Sequence, residues 1–529
     1  MNKGIVLTFD IGTQSIRGMF IDEKGNILDI EQKIYEVPYF SKNPGWAEQK
    51  PDFYFDNLCN VSKILASRSP KLMSEAFAVT ITTLRDTVLC LDKDLNPLRD
   101  IVLWLDKREA KHTKRLSAIK SLVFNAAGVM DTIEMQHRQS VCNWIMDFEP
   151  EIWSKTSKYV MLSTYLNYKM TGVLKDTATN QVGHVPFDYK NRRWMKENGL
   201  TRCLYDIPND MLCEIVDSGT VIGKITPEMS KLSGIPEGLE LIASGSDKGC
   251  ETLGLSVTTK NKAALSFGTT ATIHFTTPDY FEPMKYAPAY PAVPNNLYNA
   301  EVQIYRGYWM LSWFKKEFAA KECEQAKREG VSAESLLNKH LCEVPAGCDG
   351  LILQPYWSPG IVNPNAKGAI IGFSDCHTRA HLYRAIIEGI NYGLMDSMYA
   401  MQKRSGQKIT EIFIGGGGSQ SEEICQITSS MFGLPVKRIQ THEVSGLGSS
   451  IVAFVAKGIY KDYDEALANM VRVKDTFYPD FEEHELYMEL YKDVYCQVYN
   501  KLEPLYKRLK RLLKRESVSY THLRAHETR

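Results

Sequence analysis

The chain opens as a series of short apolar runs broken by turn residues. Ile5–Phe9, Ile16–Asp22 and Ile27–Gln32 each have the length and β-branched content of a strand. Lys24-Gly25-Asn26 supplies the hairpin turn between the second and third. Phe77–Thr82 and Val88–Asp92 continue the strand pattern, with Asp94-Leu95-Asn96-Pro97 as turn residues. From Asp106 to about Met170 apolar residues recur at three- and four-residue spacing, which predicts helix. Leu239–Ala243 is another β-rich run and ends in Ser244-Gly245-Ser246-Asp247.

The chain then starts again. Ala263–Phe275 reads as strand, Gly268-Thr269-Thr270 turn, strand, and repeats the plan of Val6–Phe20 with its Gly12-Thr13 turn. The two turns lie about 256 positions apart, each opening half of the chain, as a duplicated domain would place them. A long helical pattern over Thr378–Gln402 precedes a strand at Glu411–Ile414, a run of four glycines, and a helix to Met431 that stops at Gly433. A companion helix is expected after Ser445–Ser450, with Ala453, Ala456 and Gly458 as small packing residues. No low-complexity linker separates the halves, so a packed hinge near residue 255 is expected, dividing domains 1–255 and 256–515. Residues 516–529 are set aside: from Ser517 onward the tail carries no apolar face and reads as non-native or disordered.

Composition narrows the function classes. The 529 residues carry 63 basic and 63 acidic side chains, a balance that argues against nucleic acid or anionic lipid as the main partner. Twelve scattered cysteines form no C-x-x-C pair, which suits a reducing, cytoplasmic setting. No apolar run approaches the roughly 18 residues that span a bilayer.

Five segments could carry chemistry. Asp10-Ile11-Gly12-Thr13-Gln14-Ser15 puts a carboxylate at a strand end before a Gly-Thr turn. Glycine admits a phosphate to the backbone, Thr and Ser hydroxyls can donate to it, and Asp10 could hold hydrated Mg²⁺. An ordinary Asx-capped turn would show the same residues. Gly268-Thr269-Thr270 repeats the motif with Ser266 in place of the acid, and two such loops could grip a polyphosphate from both sides. Gly415–Gly418, followed by Ser419, Gln420 and Ser421, offers exposed N–H groups as a nucleotide platform, or simply a tight strand-to-helix turn. Asp247, just past a strand end, could accept the proton of an attacking hydroxyl, or could be a helix N-cap. Arg85-Asp86 and Trp104 suit vicinal hydroxyls and the C–H face of a sugar, or form a surface ion pair beside a packed indole. No P-loop, no serine-hydrolase elbow and no spaced metal-ligand set occurs; His377 and His381 lack a third ligand.

In this order these segments resemble the FGGY carbohydrate kinases, which include glycerol kinases and xylulokinases, within the actin-like ATPase superfamily. Phe9–Ser15, the Asp247 loop and Gly415–Gly418 carry the likeness, supported by Asn191–Trp194, Met170–Gly172 and Lys367–Phe373. The resemblance implies an α/β fold of two ribonuclease-H-like domains with an interdomain cleft, closing on ATP, Mg²⁺ and a small sugar or polyol. It implies Asp247 as catalytic base and Asp10 as the Mg²⁺-associated acid, acting through water. It further implies Gly12, Thr13, Gln14, Ser15, Arg17, Gly268, Thr269, Gly416, Gly417 and Ser421 at the nucleotide, and Arg85, Asp86, Trp104, Asp247 and Lys248 at the acceptor. The activity implied is transfer of the γ-phosphoryl group of ATP to a hydroxyl of a ketose, polyol or glycerol-like acceptor. The alternative is a catalytically silent nucleotide- and sugar-binding sensor of the same fold, and a homodimer is left open. Departures from the family pattern put glycerol and D-xylulose in doubt. Ser421 lies where many members have Asn near the adenine, Asp86 where glycerol kinases usually carry Glu, Lys248 where they carry Gln, and Thr82-Thr83-Leu84 where xylulokinases have Met-His.

Overall fold

A computed structural model of the chain describes residues 4–513, except 112–115, 129, 286, 359–362 and 364. The tail expected at 516–529 lies outside the described residues.

Two sheets follow one plan. The first runs Val221–Lys224, Glu240–Ile242, Ala76–Thr83, Ile5–Ile11, Ser15–Asp22, Ile27–Ile34. The second runs Tyr290–Pro291, Tyr298–Ile304, Ala271–Thr277, Lys262–Phe267, Glu411–Gly415, Val436–Ile439, Val473–Phe477. In each, an antiparallel meander whose first turn is the Gly-Thr loop is extended by two parallel strands and one antiparallel strand. The duplication read from two turns is therefore present in the strand order. The halves differ in two details: the second has an added edge strand, Tyr290–Pro291, and Val221–Lys224 precedes its neighbour Glu240–Ile242 in the chain, whereas Val473–Phe477 follows Val436–Ile439.

Ile5–Ile11 is nearly continuous in apolar residues because both its faces are covered. Ile5, Leu7, Phe9 and Ile11 pack with Leu58, Val61 and Leu65 of helix Phe53–Arg68. On the other face Val6, with Met19 and Ile21, packs with Leu447, Ile451 and Phe454 of helix Val444–Ala456, which comes from the second half. That helix also crosses helix Asp247–Gly254 in backbone contact. A Cβ on Gly448 would lie 1.8 Å from the carbonyl oxygen of Cys250, and one on Gly254 would lie 2.1 Å from that of Val444. The junction between the halves is thus a packed core.

Two sequence expectations fail locally. The helical reading of Asp106–Met170 is interrupted by the strand Lys158–Met161, which pairs with Val88–Leu91 in a separate four-stranded sheet. A lysine and three apolar residues between helices carry no period that separates strand from helix. The companion helix begins at Val444, so the Ser/Gly run lies inside it. Glycine weakens a helix intrinsically, but here the close crossing requires it. Among the described residues no helix is long and apolar enough to cross a membrane.

Candidate functional site

The residues expected at the acceptor include a set of charged groups, each held by a partner. Asp247 is the first residue of its helix. The N-cap is Ser246, whose Oγ accepts from the Gly249 N–H at 3.3 Å, so the capping reading of Asp247 is corrected. The Asp247 carboxylate is partly open to the cleft, accepts from its neighbour's N–H at 2.7 Å, and lies 3.9 Å from Nε of Arg85. Desolvation raises its pKa, opposed by Arg85 and Lys248.

Arg85 follows the strand Ala76–Thr83 and donates from Nη1 and Nη2 to the two carboxylate oxygens of Glu301, at 2.9 and 2.8 Å. Glu301 stands on Tyr298–Ile304 in the second half, and Tyr290 places its ring 5.5 Å from the same guanidinium. Burial acts to raise Glu301, but Arg85 outweighs it and holds the carboxyl at about 2. Asp86, at φ +47°, accepts from the His184 N–H at 3.0 Å and pairs with His184 Nδ1 at 2.8 Å. Gly183 beside it is obligatory: its φ is +153°, and a Cβ there would lie 2.2 Å from the Asp86 carboxylate. Burial opposes the charge on both members of this pair, yet each ionises the other: Asp86 is lowered and His184 raised. His274, 3.7 Å from Glu301, is held neutral, its pKa pushed down to about 4 by burial.

Two residues expected at the acceptor have their polar atoms engaged by the Gly-Thr hairpins. Lys248 Nζ donates to Glu251 and to Ser266 Oγ, both at 2.7 Å, which turns it toward the second Gly-Thr hairpin. Trp104 donates from Nε1 to Thr13 Oγ1 at 3.0 Å and so lies against the first. With its acceptor role filled, the Thr13 hydroxyl keeps its proton for a ligand.

On the nucleotide side, Asp10 pairs across the hairpin with Arg17. No group among the described residues donates a hydrogen bond to its carboxylate. Desolvation lifts its pKa to about 7, with Arg17 opposing and Asp247 adding. Gly12 closes the turn through its N–H to the Ser15 carbonyl, 3.0 Å. Gln14 is exposed, its carbonyl accepting from Tyr35 at 2.9 Å. Arg17 donates to Ser15 Oγ at 3.3 Å and pairs with Glu443 of the second half at 3.0 Å. The Gly268 and Thr269 carbonyls accept from Tyr308 and Trp309, which lead into helix Trp309–Phe318.

The glycine run divides its work. Gly416, at φ +81°, lies against the Phe267 backbone, where a Cβ would come within 2.8 Å. Gly418 abuts the Tyr308 ring, whereas a Cβ on Gly417 would meet nothing within 4 Å, so Gly417 is the open position. Ser421 caps helix Glu422–Phe432, accepting from Ile424 N–H at 3.2 Å and donating to Glu423 at 2.6 Å; its hydroxyl is committed to the fold. Among the described residues no cluster of three or more His, Cys, Asp or Glu could hold a metal ion. One unpartnered carboxylate at Asp10 nevertheless fits Mg²⁺, which needs few protein ligands when phosphate oxygens supply the rest.

Sequence reasoning did not single out Glu301, His184, Glu251, Tyr290 or Glu443. Glu301 left one signal, a charged residue between Ala300 and Val302 in a strand otherwise largely buried.

Comparison with known proteins accords with this geometry. The N-terminal domain model of the FGGY family of carbohydrate kinases matches residues 5–254, and the C-terminal domain model matches 263–457. An uncharacterized sugar kinase, YgcE, of Escherichia coli (strain K12) is 28% identical over 480 residues, covering 90% of each chain. A xylulose kinase of Staphylococcus epidermidis is 26% identical over 520 residues, covering 97% of this chain and 98% of its own. The crystal structure of gluconate kinase from Lactobacillus acidophilus superposes with a TM-score of 0.80 at 22% identity, over 96% of this chain and 99% of that one. The fold is accordingly the two-domain actin-like ATPase fold.

Proposed function

The chain belongs to the FGGY family of carbohydrate kinases and is a phosphotransferase with an alcohol acceptor, and we propose that it moves the γ-phosphoryl group of ATP to a hydroxyl of a small sugar or polyol, with Asp247 as base. The observation that carries this reading is the position of Asp247. Its carboxylate opens a helix between the two Gly-Thr hairpins, 3.9 Å from the Arg85 guanidinium, and is coupled to Asp10. The acceptor hydroxyl is oriented by Arg85 and Asp86 and delivers its proton to Asp247 as the bond to phosphorus forms. Desolvation makes Asp247 a stronger base than a free carboxylate, which improves its match to a late proton transfer.

Thr13, Ser15, Arg17, Gly12 and the Gly268-Thr269 loop orient the phosphates, and the open Gly417 edge receives the adenosine. Ser421 contributes by fixing the helix that follows. Mg²⁺ held by Asp10 through water would neutralise charge on the phosphate oxygens. Lys248 serves the phosphate side, anchored on Ser266. The packed junction allows the halves to exclude water from the transfer. Twelve free thiols suit the cytoplasm as the site of action.

The test is ADP release with Mg·ATP across pentuloses, hexuloses, polyols, aldonates and glycerol. Asp247→Asn is expected to lower kcat by about 10²–10⁴-fold with nucleotide affinity retained. Turnover within threefold of wild type would remove Asp247 from the role. Silence on every acceptor, with ATP still bound, would favour a sensor.

A further inference from the structure

We propose that the acceptor subsite takes an uncharged polyol or ketose and rejects sugar acids such as aldonates, and that Glu301 is the residue that sets this selectivity. The inference deepens the kinase reading and rests on it. Similarity does not decide the question, because the relatives include both a xylulose kinase and a gluconate kinase.

The charge arrangement does. Two cationic groups border the subsite, and each is already held by a carboxylate. Arg85 is gripped by Glu301 at 2.8 and 2.9 Å, and His184 by Asp86 at 2.8 Å. Asp247 is a third carboxylate beside them. With His184 protonated, two positive charges meet three negative ones, so the subsite carries net negative charge before any ligand enters. A substrate carboxylate would have to displace Glu301 from Arg85 or lie unpaired near Asp247. Either course leaves a desolvated anion without its counter-ion.

A hydroxyl meets no such obstacle. It can donate to Asp247 or Asp86 and accept from Arg85 Nε, the one edge of the guanidinium that Glu301 leaves free. The rings of Tyr290 and Tyr189, 5.2 Å apart, add apolar faces for the C–H side of a sugar.

The experiment compares a polyol, a ketose and an aldonate of equal carbon number and matched configuration. Binding is read by calorimetry and turnover by ADP release, for wild type, Glu301→Gln and Glu301→Asp. Wild type is expected to prefer the neutral acceptors by about tenfold or more in both readouts. Glu301→Gln frees the Arg85 charge and should raise the aldonate-to-neutral ratio by about tenfold. Glu301→Asp keeps the charge and should hold the ratio near wild type. Neutral acceptors that bind no tighter than the aldonate overturn the inference, as does an unmoved ratio in folded Glu301→Gln. Should that variant not fold, the wild-type binding comparison decides. Absence of ADP release with every acceptor would sink the kinase reading instead, and the calorimetric ranking would still judge the charge argument.

Discussion

The two Gly-Thr hairpins share a backbone plan and differ in the group each presents. Two positions before the glycine, the first hairpin presents Asp10, a carboxylate to which nothing among the described residues donates a hydrogen bond. The second presents Ser266, whose hydroxyl receives the ammonium of Lys248 at 2.7 Å. One loop therefore offers a carboxylate without a hydrogen-bond donor and the other an ammonium fixed in place. A duplicated scaffold can place two phosphate-sized turns face to face by repetition alone. The division between a carboxylate side and a lysine side comes from one substitution within the repeat and from Lys248, contributed by the helix at the junction. Backbone geometry is inherited by both halves, whereas charge is set separately in each.

Making the first hairpin resemble the second is the severest test of this contrast. Asp10→Ser should lower kcat by about 10³-fold, measured as ADP release at saturating Mg·ATP, because charge neutralisation on the phosphates is worth several kcal/mol. Activity within tenfold of wild type would show that the hairpins are interchangeable.

A smaller effect comes from pH. The folded pKa of Asp10 is raised from 3.8 to about 7, so the fold keeps its proton across the window between those values and releases it only above. Mg²⁺ competes with that proton. Calorimetric affinity for Mg²⁺·nucleotide should therefore rise about tenfold from pH 6 to pH 8, and Asp10→Asn should abolish the slope. An equal slope in the variant would assign the titration to another group.

The mildest change is at the second hairpin. Ser266→Ala removes one of the two groups that hold Lys248 and leaves Glu251. KM for ATP should rise about threefold to tenfold with kcat little changed, less than the full value of a hydrogen bond to a charged group because Glu251 still holds the ammonium. A fall in kcat with KM intact would move Lys248 from the phosphates to the transfer step.

Legibility from sequence followed range. The Gly12 and Gly268 turns, the strand ends at Asp10 and Asp247, and the stop at Gly433 are encoded by neighbours a few residues apart, and the structure places them as read. Glu301 meets Arg85 across 216 positions, and His184 meets Asp86 across 98; no local pattern announces such pairs. Trp104 and Lys248 are expected at the acceptor from the family resemblance. Their bonds to Thr13 and Ser266 are decided by tertiary docking of one loop on another. The Ser/Gly run at 445–450 shows the converse error. Read locally it looks like a loop, yet the crossing with Asp247–Gly254 demands small residues within a helix.

That crossing bears on how the enzyme can move. At Gly448 and Gly254 the two helices touch through main-chain atoms, leaving no side chains to slide past one another. Such a contact acts as an axle, favouring rotation of one half over the other. Asp247 lies less than one helical turn from Cys250, whose carbonyl forms part of the axle. A point near a rotation axis travels little while the rim travels far. The cleft mouth can therefore open while the Asp247 carboxylate keeps its aim.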